Sequence, residues 1–152
     1  IIRFERFSLT RLTYKDKQMA NRYFSQFKGS LEKGVVQLDG YINLGSDASV
    51  VSETIMGASV AKTTTGVYTI TLEDSYPKLL HVGLTAFSIG TNAAGLLKVV
   101  DVLDSSGNSV AATLVNVKKI KVATCTSATG APADVSVKCG MSVHIVLKNT
   151  SV

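Results

Sequence analysis

The sequence predicts an all-β fold: an antiparallel β-sandwich of Greek-key or jelly-roll type, preceded by an extended basic N-terminal arm. Three observations carry this. From residue 35 onward, seven or eight short segments show a hydrophobic period of two, separated by Gly, Ser, Asp and Asn turn chemistry. The composition is rich in Val, Thr, Ser, Ala, Leu and Gly, with no Trp and with proline only at Pro77 and Pro132. The charge is segregated: residues 1–33 hold eight basic and three acidic side chains, whereas the rest of the chain holds eight lysines and eight acids. The net +5 of the 152-residue chain therefore lies wholly in its first 33 residues.

Residues 1–15 alternate loosely and suit an extended segment. Residues 16–27 place Met19, Tyr23 and Phe27 four apart, with room for a short helix, and Lys28-Gly29-Ser30 ends it. Two units are thus expected, an arm over 1–33 and a sandwich domain over 34–152. In the second, residues 35–44 alternate Val36, Leu38, Gly40, Ile42 and Leu44 with Val35, Gln37, Asp39, Tyr41 and Asn43, a half-buried strand closed by Gly45-Ser46-Asp47. A weaker strand is expected over 49–55. Residues 59–62 lead into a Thr63-Thr64-Thr65-Gly66 turn, after which Tyr68, Ile70 and Leu72 share one face, giving the clearest hairpin in the chain. Asp74-Ser75-Tyr76-Pro77 reads as a loop. Residues 80–89 and 96–103 are strands, followed by an Asp104-Ser105-Ser106-Gly107-Asn108 hairpin loop. Further strands are expected over 109–114, 119–124, 134–138 and 141–148. In the last, Met141, Val143, Ile145 and Leu147 alternate with Ser142, His144, Val146 and Lys148.

At this length one domain buries enough surface to fold without staples. Cys125 and Cys139 are expected as free thiols of a protein made in a reducing cytoplasm. No run of about 18 apolar residues exists, and the basic start lacks the apolar core of a secretory signal. The parts of a catalytic site are sparse. His81 and His144 are the only histidines, and His144 falls on the polar side of its strand. Glu73-Asp74 reads as solvated loop acids, and no phosphate loop, calcium loop, zinc spacing or nucleophile elbow is present. A non-enzyme is expected, with no cofactor and no metal.

The arm is the candidate binding element. All four arginines are in it (Arg3, Arg6, Arg11, Arg22), with six of the ten Phe and Tyr residues: Phe4, Phe7, Tyr14, Tyr23, Phe24 and Phe27. Guanidinium groups pair bidentately with carboxylates or phosphates, and aromatic rings anchor protein interfaces or stack on bases. The apolar Ile1, Ile2, Leu9, Leu12 and Leu31 favour a protein partner over nucleic acid. A third reading has the arm covering its own sandwich.

The stretch Met19-Ala20-Asn21-Arg22-Tyr23-Phe24-Ser25-Gln26-Phe27, then Ser30-Leu31-Glu32-Lys33-Gly34-Val35-Val36, resembles small virion structural proteins of tailed bacteriophages. So does Gly66-Val67-Tyr68-Thr69-Ile70-Thr71-Leu72-Glu73-Asp74 with Tyr76 and Leu79-Leu80, and the ending over 143–147 with Asn149-Thr150-Ser151. The resemblance covers most of 19–152 and implies a capsid decoration, or cement, protein. It further implies a homotrimer on the capsid surface, assembled in the host cytoplasm and bound to the major capsid protein. A tail, neck or head-fibre component and a nucleic-acid-binding module are the alternatives; neither a membrane nor a cofactor is implied.

Overall fold

The computed structural model describes residues 34–88, 94–126 and 129–149, all belonging to one unit, Gly34–Val152. Seven strands follow in chain order: β1 (Val35–Leu44), β2 (Val50–Glu53), β3 (Ala58–Thr64), β4 (Val67–Ser88), β5 (Ala94–Leu103), β6 (Val115–Thr126) and β7 (Cys139–Lys148). Every pairing is antiparallel, and among the described residues there is no helix. The spatial order is β2-β1-β7-β4-β6-β5, with β3 also on β4. The all-β antiparallel expectation holds.

The 22-residue β4 organises the rest. Tyr68 pairs with Lys62 of β3 and Val122 of β6, whereas Lys78 pairs with Val115 of β6 and Lys148 of β7. A strand has only two edges, so β6 runs along one of them while β3 and then β7 occupy the other. Two groups of strands result: β3, the first part of β4, β6 and β5; and the last part of β4, β7, β1 and β2. Where a sandwich would have two separately bonded sheets, the hydrogen bonding here is continuous through β4. Side chains from both groups form one core: Ile42, Met141, Val143 and Ile145 from one, and Tyr68, Ile70, Ile120 and Val122 from the other. Each is buried, and each such aliphatic side chain removed from water contributes roughly 1.5–3 kcal/mol.

Three expectations need correction. Residues 74–77 are not a loop but part of β4, irregular between Thr71 and Tyr76. Tyr76 is buried and pairs with Val117, and burial of that ring outweighs the local turn preference. Pro77, which has no N–H, sits after the β3 ladder ends at Leu72 and before the β7 ladder begins at Lys78. Residues 109–114 form no strand: Ser109 makes a lone bridge to Leu103, and the amides of Thr113 and Leu114 turn back to the Val110 carbonyl. Residues 134–138 form none either. The Asp134 carboxylate instead ties a loop, accepting from the Gly66 amide at 2.6 Å and Lys62 Nζ at 2.9 Å.

Two tight places hold the core's margin. The β3–β4 turn is Thr65-Gly66, with Gly66 at φ 65° and the Ala133 backbone 2.5 Å from where a Cβ would stand. Between β1 and β2, the Asp47 carboxylate accepts from the Ser49 amide and hydroxyl, which holds its pKa below the usual carboxylate value. Beside it Ala48 is buried at φ 60°, and its carbonyl accepts the Tyr68 hydroxyl at 3.0 Å.

Candidate functional site

The ten arm residues singled out in the sequence (Arg3, Phe4, Arg6, Phe7, Arg11, Tyr14, Arg22, Tyr23, Phe24 and Phe27) lie outside the described residues. What the described residues present is the outer face of β1, β7 and the last part of β4. Strand alternation generates it. With Ile42, Met141 and Val143 turned to the core, their neighbours Asp39, Tyr41, Asn43, Ser142 and His144 face outward. Across β7 the register carries His81, Gly83, Thr85 and Phe87 onto the same face.

At one end of this face is an open groove of about 490 Å³, lined by Tyr41, Asn43, Val51, Phe87, Lys138 and Gly140 among others. Gly140 lies opposite both Asn43 and Phe87, so no side chain of β7 intervenes there. The Tyr41 and Phe87 rings meet across that gap with centroids 6.1 Å apart and planes tilted by 48°. Both rings are half exposed, and Val51 beside them is 67% exposed. Asn43 is held by donating its amide to Ser52 Oγ at 2.8 Å. Cys139 also lines the groove; partial burial pushes its thiol pKa up, so it is a poor nucleophile at neutral pH. Cys125 is buried, and both thiols are free.

Further along, the polar positions form a line. Asp39 of β1 hydrogen-bonds His144 Nδ1 of β7, and His144 lies 5.9 Å, centroid to centroid, from His81 of β4, with 54° between the rings. The line is exposed, with side-chain accessibilities of 41% for His144 and 48% for Asp39. The expected solvent-facing position of His144 is therefore what the structure shows.

No family model, curated protein or solved structure matches this chain. The groove offers apolar and aromatic surface with one lysine at its rim, suited to burying a partner's side chains. Among the described residues, no three His, Cys, Asp or Glu side chains converge as a metal-binding set. Sequence reasoning did not single out Tyr41, Phe87 or Asp39, and it named His81 only as one of the two histidines. The alternation of β1 placed Asp39 and Tyr41 together on its polar side, but their partners across β7 depend on register, which no local pattern specifies.

Proposed function

We propose that this chain is a structural protein of a tailed-phage virion, most like a capsid decoration or cement protein, located on the capsid surface and acting without catalysis. The observation that carries the reading is the partition of charge: +5 and every arginine in residues 1–33, against a neutral remainder. The arm's arginines pair with carboxylates of major capsid subunits, and its aromatic residues seat as apolar anchors between them. The antiparallel body associates with copies of itself, as a homotrimer, and its exposed Tyr41–Phe87 groove is apolar surface suited to such contacts. Each arm adds a contact between neighbouring subunits, so the shell resists the outward pressure of packaged DNA.

The test is removal of residues 1–33. Cosedimentation with expanded capsids is expected to disappear while circular dichroism of the truncated body remains that of a folded β-protein. A truncated body that still decorates capsids at full occupancy overturns the role given to the arm. Light scattering of the full chain supplies an independent check, with a nucleic-acid-free trimer of the 16.1 kDa chain expected. A monomer carrying nucleic acid, with affinity falling steeply as salt rises, would instead indicate a nucleic-acid-binding module.

A further inference from the structure

The line Asp39–His144–His81 brings a carboxylate and two imidazoles together on one face of the sheet. A carboxylate only accepts hydrogen bonds, so in neutral His144 the proton must sit on Nδ1, which faces Asp39. That fixes the tautomer and leaves the Nε2 lone pair unengaged by Asp39. The same arrangement, a histidine donating one ring N–H to a carboxylate while the other nitrogen binds metal, is the usual outer support of a metal-bound imidazole.

His81 reaches the same place from β4. Its strand partner is Val146, and His144 is paired with Gly83, so the two histidines are diagonal neighbours across the β4–β7 ladder. Gly83 leaves the intervening position empty of side chain, and His81 Nε2 occupies that space, 3.1 Å from where a Gly83 Cβ would stand. The same point lies 3.6 Å from the His144 Cβ, which puts the His81 imidazole over Gly83 and beside His144. With metal–nitrogen bonds of about 2.0–2.1 Å, two imidazoles sharing one ion have ring centroids roughly 4.5–6.3 Å apart, depending on the angle at the metal. The observed 5.9 Å falls inside that range.

We propose that His81 and His144 form a surface site for a borderline divalent cation of the Zn²⁺ class. The two imidazoles are the protein ligands, Asp39 is the positioning residue behind His144, and water fills the outward coordination positions. Imidazole nitrogen selects such ions over Mg²⁺ or Ca²⁺, which prefer oxygen. His81 and His144 are the only histidines in the chain, so histidine-dependent binding has a single source.

The experiment is a Zn²⁺ titration of the untagged full chain by calorimetry, with the imidazole nitrogens followed by NMR. One ion per chain is expected, with the Nε2 resonance of His144 shifting on binding. His81→Gln and His144→Gln should each weaken binding tenfold or more. Asp39→Asn, which keeps both imidazoles, should weaken it roughly 10- to 100-fold. Asp39 and His81 are exposed and the His144 side chain is 41% accessible, and circular dichroism of each variant reports whether the fold is retained. A titration without saturable binding overturns the proposal. So does Zn²⁺ binding that is unchanged in His81→Gln and His144→Gln, or an imidazole spectrum of the parent chain that does not respond to Zn²⁺.

Discussion

Replacing Tyr68 by Phe removes the hydroxyl that ties β4 to the turn between β1 and β2 and also meets the Thr124 side chain. The ring is fully buried, and Phe preserves nearly all of its volume, so no cavity opens. What is lost is the bond from the Tyr68 hydroxyl to the Ala48 carbonyl, an acceptor that then stays buried without that partner. A neutral hydrogen bond contributes about 0.5–1.5 kcal/mol net, and an orphaned buried acceptor raises the cost, which gives about 1–2 kcal/mol for Tyr68→Phe. Tyr68→Ala, which also empties the ring's volume, should cost about 3–5 kcal/mol. Urea unfolding should show a midpoint lowered by roughly 1 M in Tyr68→Phe with an unchanged slope. Amides of the 45–49 turn should also exchange faster, since Ala48 is the point where that turn is held. Spectroscopic titration adds a signature. Burial pushes the Tyr68 phenol up to about 12 from 10, so its contribution to stability is intact below pH 10 and fades as the pH climbs from 10 toward 12. The parent's last tyrosinate step near pH 12 should be missing in the Phe variant. A Tyr68→Phe protein as stable as the parent, or one as unstable as Tyr68→Ala, would refute the reasoning.

Glycine positions offer a contrast in the same assay. Gly66→Ala meets both a left-handed φ and the Ala133 backbone at 2.5 Å, so it should cost well over the roughly 1 kcal/mol of the backbone conformation alone. Gly107→Ala, at φ 87° with nothing within 4 Å of the added carbon, should cost only about that 1 kcal/mol, which differential unfolding of the two variants reads directly. Asp134 is held below the ordinary carboxylate pKa, first by its hydrogen bond from Lys62 and then by the Gly66 amide. Because its folded pKa is depressed, the stabilisation is present above about pH 4 and is lost as the pH falls through the folded value. The pair is partly exposed, so Asp134→Asn should cost only about 1 kcal/mol at pH 7 and less at pH 2, as thermal melts at the two pH values would show.

How much the sequence disclosed depends on how local each feature is. β1 and β7 were legible because alternation persists over residues 35–44 and 141–148, and the Thr65-Gly66 hairpin because its turn chemistry is local. Asp74-Ser75-Tyr76-Pro77 misled because those residue types favour turns. Whether they interrupt a strand depends on Tyr76 finding Val117, some forty residues away, and on β3 yielding to β7 along one edge. Residues 109–114 and 134–138 are apolar enough to pass for strands but are committed to turn hydrogen bonds and to the Asp134 anchor. The outer-face groupings were beyond reach for the same reason: Asp39 and His144 are 105 residues apart, and only the register of β1 on β7 brings them together.

The continuity of β4 has a mechanical consequence. Its 22 residues, roughly 70 Å of contour at about 3.3 Å per residue, run as one covalent thread through both strand groups. Tension that draws the β7 side away from the β6 side is carried along that thread, so the two groups are coupled through backbone as well as through the shared core. Under load the body should therefore yield as one unit.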